Sequence, residues 1–279
     1  MNQQQSSPLL VVVIIGICLT VISCDQRKDA MTALDSSLKC QLVGDCSGNT
    51  TFGMVGDSWT DFAFGMPVLV DLYDQLTEVY GYRITASNLA GLTLRTEWDS
   101  RRGFESVIKN GGPNMRYILL SLGGNDLMSS TGEYSNTPEF TTDSRLNSYR
   151  ARLQLLIMSG DLLKQSLYGG EPLIWIIHGY DYLNPIQYPS CVSAYNPGIS
   201  PITKNDLPGY ILNRFNAELQ YQTTQIPNLR YIDARGTLGG PPYSNANLMN
   251  DCIHPNNAGF AMYAAAYVAQ LKSLTGNAK

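Results

Sequence analysis

From residue 52 onward, short apolar runs rich in β-branched and aromatic residues alternate with longer amphipathic runs, and few architectures accommodate that order. The apolar runs occupy residues 52–55, 82–86, 117–122, 173–177 and 229–232. The amphipathic runs occupy 64–80, 102–109, 145–167, 210–222 and 257–271. Apolar runs without an in–out alternation predict strands covered on both faces, which means parallel strands joined by helical crossovers. Because such crossovers are right-handed, the expected fold class is α/β: a three-layer α/β/α sandwich around a parallel sheet of about five strands.

Two connections are longer than this architecture needs, residues 126–143 and 179–207. Both follow predicted strands, so they belong at the carboxyl edge of the sheet, where open α/β folds bind ligands. The second is rich in tyrosine, with Tyr180, Tyr182, Tyr188 and Tyr195. Tyrosine rings there can stack on sugar faces or wall an apolar pocket.

The start of the chain has a different character. A polar opening is followed by an apolar run over 8–22, too short to cross a bilayer comfortably, and then by Ser23 and Cys24. The ending Val21-Ile22-Ser23-Cys24 resembles a bacterial lipobox, in which the cysteine is lipidated. The expected organisation is a signal peptide over 1–23, a tether over 24–50 anchored to a membrane through Cys24, and a folded body over 51–279. A plain secretory signal or an uncleaved anchor is the alternative, and both also imply export. Outside the cytoplasm thiols tend to pair. Cys40, Cys46, Cys191 and Cys252 allow three connectivities. Cys40 with Cys46 and Cys191 with Cys252 is the expected set, the second joining the long tyrosine-rich loop to the segment before His254. A net charge of −4 with scattered basic residues excludes nucleic acid as a partner. With only 2 histidines and no ligand spacing, no metal site is expected. A monomer is expected.

Four segments carry groups able to do chemistry. After the first strand the chain reads Gly56-Asp57-Ser58-Trp59-Thr60-Asp61. A serine at a strand-to-helix turn projects its hydroxyl over the sheet edge, with a helix N-terminus behind it. Near the end lies Asp251-Cys252-Ile253-His254-Pro255. A histidine base needs its second nitrogen oriented by a carboxylate, and an aspartate three residues earlier can fold back to do so. The third strand runs into Leu122-Gly123-Gly124-Asn125-Asp126, where Asn125 can aim an amide N–H at a developing oxyanion. The second runs into Ser87-Asn88-Leu89-Ala90-Gly91, where Gly91 can offer a backbone N–H to the same point. His178, at the end of the fourth strand, is the rival base, and no carboxylate lies at an orienting spacing from it. Asp57, Trp59, His178 and Tyr180 are expected to contact a substrate.

In this order, each at a strand end or helix entry, these segments resemble the sequence blocks of the SGNH (GDSL) hydrolase superfamily, over nearly the whole body from 52 to about 271. The resemblance implies a flavodoxin-like fold and a serine esterase that needs no metal or organic cofactor. It also implies Ser58 as nucleophile, His254 as base and Asp251 as its orienting acid. The oxyanion donors it implies are the Ser58 N–H, Gly91 and Asn125. A small-molecule, glycan or lipid ester is the implied substrate. A carbohydrate O-acetyl esterase and a catalytically silent surface-binding lipoprotein are the alternatives.

Overall fold

The computed structural model describes residues 50–62 and 70–279. The expected signal peptide, the lipidated Cys24, most of the tether and the pairing of Cys40 with Cys46 lie outside the described residues. Five parallel strands form one sheet: β1 (Phe52–Gly56), β2 (Ile84–Asn88), β3 (Tyr117–Ser121), β4 (Ile174–His178) and β5 (Leu229–Ile232). They lie in the order β2-β1-β3-β4-β5. β1 and β3 are buried at every position, as strands covered on both faces must be.

The α-helices are α1 (Leu72–Asp74), α2 (Leu94–Thr96), α3 (Gly103–Gly111), α4 (Gly124–Met128), α5 (Pro138–Tyr168), α6 (Leu207–Gln225) and α7 (Asn257–Thr275). α1 and α2 each run on into a π-helical turn, Gln75–Val79 and Glu97–Arg101. Helices α3, α5 and α6 pack side by side, α7 packs against α1 and its π turn, and the sheet lies between the two groups. The expected α/β/α sandwich is therefore present.

Several boundaries differ from expectation, each for a local reason. The amphipathic run at 64–80 contains, among the described residues, only α1 and its π turn. Asp71 opens that helix with a reciprocal capping box to Asp74, which fixes its start at Leu72. β2 lies two residues later than predicted. The connection expected over 126–143 is largely helical. α4 takes its first part, a 3-10 turn spans Thr131–Tyr134, and α5 begins at Pro138 in the first helical turn, where a missing N–H costs nothing. The 179–207 connection stays long, with one 3-10 turn over Pro189–Val192.

The sheet register brings the ends of three strands level, Gly56 beside both Asn88 and Ser121. Each strand then leads into one of the segments singled out above. The turn after β3 is possible because Gly123 has φ +125°, and a Cβ built there would lie 2.4 Å from Phe215 Cζ and 2.9 Å from Tyr149 Cε2. Gly123→Ala is expected to destabilise the fold by about 2–4 kcal/mol, from backbone strain plus overpacking. Urea unfolding measures this, and an unchanged midpoint would contradict the close packing described.

Candidate active site

The first element is the turn after β1. The Asp57 N–H donates to Ser121 O (2.9 Å), and the Thr60 N–H closes the turn on Asp57 O (2.9 Å), leaving Ser58 at its apex. No helix starts directly behind Ser58 among the described residues. Trp59 O instead accepts from the N–H of Leu72, the first residue of α1. Among the described residues, a backbone-bonded turn stands where a helix N-terminus was expected.

The second element is the loop before α7. Met249 and Pro255 form an antiparallel bridge, and the N–H groups of Asn250 and Asn256 donate to His254 O (2.8 Å) and Leu248 O (2.9 Å). Within this narrow loop Asp251 Oδ1 accepts from the N–H of Ile253 and of His254, both at 2.8 Å. The same carboxylate faces His254 Nδ1 at 2.8 Å through Oδ2 and 3.1 Å through Oδ1. His254 Nε2 lies 2.7 Å from Ser58 Oγ, across 196 residues of sequence. With the imidazole neutral, Nδ1–H donates to Asp251 and Nε2 accepts from the serine hydroxyl. The Phe62 ring lies against the imidazole, 4.2 Å between centroids.

Burial tends to raise the Asp251 carboxyl, but the His254 ring and the two backbone N–H groups outweigh it and hold the group below its usual range. It therefore stays ionised, as a group that orients an imidazole must. Ser58 is 7 % exposed, while the side chains of His254 and Asp251 are 14 % and 45 % exposed. The hydroxyl sits at the bottom of a site whose acid side opens to solvent.

The third element comprises the segments that carry Asn125 and Gly91. Asn125, in the first turn of α4, uses its amide Nδ2 to donate to Leu92 O (3.1 Å). An amide has two N–H bonds, so the other is available to a reacting oxygen. Gly91 lies in the loop that Asn125 touches, with φ +77°, a conformation a glycine adopts without strain. That loop is tied to the serine turn by three bonds. The Leu89 N–H donates to Gly56 O, the Ala90 N–H to Asp61 Oδ2, and Asn88 Nδ2 to Thr60 O, at 2.9, 3.2 and 3.0 Å.

The expected substrate contacts require correction. Asp57, Trp59, His178 and Tyr180 are only 1–3 % exposed, so they form the support beneath Ser58 and do not line its open side. Asp57 Oδ1 accepts from the Trp59 N–H (3.1 Å) and Ser121 Oγ (3.3 Å), and Oδ2 accepts from Tyr180 Oη (2.5 Å). Burial pushes the Asp57 carboxyl up to about 6, although these donors and nearby His254 act to lower it. The Trp59 ring packs edge-on against Tyr180, Phe260 and Tyr263. His178 Nδ1 lies 2.7 Å from Gly179 O and 2.9 Å from Tyr263 Oη.

The tyrosines of the long loop do not form one stacking platform. Tyr195 is buried and donates to Ile202 O (2.9 Å), and Tyr182 and Tyr188 are half-buried. That loop is joined to the segment that carries His254 by the disulfide Cys191–Cys252, as expected, and by the Asn184 N–H donating to Cys252 O (3.1 Å). Two groups near the site were not anticipated. Phe62 gives no sequence signal, because nothing marks it as facing a residue near the other end of the chain. Asp126 sits next to Asn125 and binds the start of α2. Among the described residues no group of three or more His, Cys, Asp or Glu side chains is arranged to hold a metal ion.

No family model and no curated protein matches this sequence. Solved structures do match. A GDSL-like lipase from Bacteroides thetaiotaomicron superimposes with a TM-score of 0.51 at 12 % identity, over 88 % of this chain and 97 % of that one. A lipase from a goat rumen metagenome gives 0.51 at 15 % identity, over 78 % and 95 %. A catalytic mutant of an acetylxylan esterase from Geobacillus stearothermophilus gives 0.50 at 18 % identity, over 80 % and 94 %. The chain has the fold of the GDSL-type hydrolases.

The buried groups under Ser58 make a pH prediction. Burial lowers His178 to about 4 from its ordinary 6.5, so the unfolded chain takes up its proton first. The stability this neutral ring confers is complete above pH 6.5 and lost as pH falls towards 4, a loss of roughly 3 kcal/mol. Asp57 and Asp71, raised to about 6, act oppositely, since the native state holds their protons more tightly between pH 6 and 3.8. His178→Gln should therefore remove the His178 part alone, losing less stability than the parent between pH 7 and pH 4. Urea midpoints at the two pH values measure it, and parallel losses would show that His178 is not held neutral.

Proposed function

We propose that this protein is a serine esterase acting on carboxylic esters. The observation that carries the reading is the chain Ser58 Oγ to His254 Nε2 (2.7 Å) to Asp251 (2.8 Å) at the carboxyl edge of the sheet. Ser58 Oγ attacks the ester carbonyl carbon while His254 Nε2 takes the hydroxyl proton, and Asp251 stabilises the resulting imidazolium. The carbonyl electron pair moves to oxygen, which the Ser58 N–H, the Gly91 N–H and the Asn125 amide receive. Collapse of this intermediate expels the alcohol, which takes the proton from His254, and leaves an acyl-Ser58. Water, deprotonated by His254, then releases the acid and restores the serine.

The fold likeness to two lipases and an acetylxylan esterase supports ester hydrolysis without choosing among their substrates. A simple carboxylic ester is the first substrate class, with an O-acetylated glycan as the alternative. Export and anchoring through Cys24 complete the proposal. The lipobox-like sequence supports it, as does a disulfide of the kind that persists in oxidising compartments. Incorporation of labelled palmitate that Cys24→Ala abolishes is the expected result.

A fluorophosphonate probe should label the protein at Ser58, and Ser58→Ala should abolish labelling and lower kcat by roughly four decades or more. Asn125→Ala should lower kcat about a hundredfold, the usual effect of one lost oxyanion donor. An unlabelled, folded wild type would instead favour a silent binding protein. Comparing p-nitrophenyl esters of increasing chain length with acetylated xylan separates the two substrate classes.

A further inference from the structure

Asp126 takes no part in the reaction proposed above, yet its carboxylate is directed at the segment that carries one of the candidate oxyanion donors. Oδ2 accepts from the Leu94 N–H at 2.7 Å and Oδ1 from the Arg95 N–H at 3.2 Å. Its neighbour Asn125 donates to Leu92 O at 3.1 Å. Two consecutive residues of α4 therefore grip one stretch, Leu92 to Arg95, immediately after Gly91.

Both ends of this connection are secured. On the far side the loop is bonded to Gly56, Thr60 and Asp61 of the serine turn. Behind Asp126, Arg145 Nη1 donates to the carbonyls of Asp126, Leu127 and Ser129 at 3.2, 3.0 and 2.7 Å. A cation on those carbonyls satisfies acceptors that a short helix leaves open at its C-terminal end. Arg145 is itself paired with Glu133 at 2.6 Å. α4 is thus a fixed support, and Asp126 transmits its position to the loop.

We infer that Asp126 is a positioning residue that sets the separation between the Gly91 N–H and the Asn125 amide. This inference rests on the esterase reading. Oxyanion donors act only when they meet the oxygen at hydrogen-bond distance in the transition state, so a loop displaced by a fraction of an ångström weakens catalysis while leaving substrate binding nearly intact. A simple helix cap would affect stability alone.

In the full chain, Asp126→Ala is expected to lower kcat for p-nitrophenyl acetate by roughly ten- to a hundredfold, with KM changed less than about threefold. Asp126→Asn keeps an oxygen for the Leu94 N–H but turns an NH2 towards the Arg95 N–H. It should lie between the parent and the alanine variant. Both variants should still reach full fluorophosphonate labelling, more slowly than the parent. A kcat equal to the parent's in both variants, or a loss confined to KM or to the thermal midpoint, overturns the inference. Should Asp126→Ala not fold, Asp126→Asn decides alone: lower kcat at unchanged KM and thermal midpoint supports it, and unchanged kcat refutes it. An inactive, unlabelled parent protein would sink the esterase reading first, and this inference with it.

Discussion

Burial of a parallel sheet on both faces is the constraint from which the rest of this structure follows. Each strand must return to the same end of the sheet through a crossover, so all five carboxyl ends emerge along one edge. Residues far apart in the chain are thereby delivered to one place: Ser58 after β1, Gly91 after β2, Asn125 after β3, and the Asp251–His254 loop after β5. The hydrogen bond that joins Ser58 to His254 is a consequence of that topology and of the register that levels Gly56 with Asn88 and Ser121.

Geometry at that edge is held by backbone-directed polar side chains more than by ion pairs. Asp57, Asp181, Asp251 and Asp126 each accept from backbone N–H groups, which satisfies carboxylates taken partly out of water and stiffens the turns that donate. Asp181 alone receives three, from Tyr182, Gly236 and Leu238, each at 2.7 Å. The disulfide adds a covalent tie across 61 residues, worth about 4 kcal/mol in the chain-entropy picture. It fastens the loop that carries His254 to the long loop after β4.

The elements most legible in the sequence were those whose signal is local. Strands β1, β3, β4 and β5 lie within one residue of their apolar runs, because consecutive buried positions in β1, β3 and β4 leave a compositional mark, while β5 keeps its buried ends at Leu229 and Ile232. The Asp251 to His254 spacing could be read as a carboxylate folding back on an imidazole, because that contact is made within one turn. Helix starts were less visible. Pro138 and the Asp71–Asp74 capping box are both local signals, but polar residues around the first imitate a loop and the second lies inside a longer amphipathic run. The support beneath Ser58 was misread: Asp57, Trp59, His178 and Tyr180 stand beside motif residues, yet proximity in sequence does not reveal which way a side chain faces.

Sequence alone determined the layer architecture, the edge at which chemistry could occur and the residue types able to perform it, because hydrophobic periodicity and short-range spacing are properties of neighbouring residues. Tertiary structure decided which polar groups meet and which are sealed from solvent. The 2.7 Å approach of Ser58 to His254, the grip of Asp126 on the start of α2 and the packing of Phe62 against the imidazole all join distant segments. Their distances depend on how helices cover the sheet and how loops close over its edge, and no local pattern encodes that.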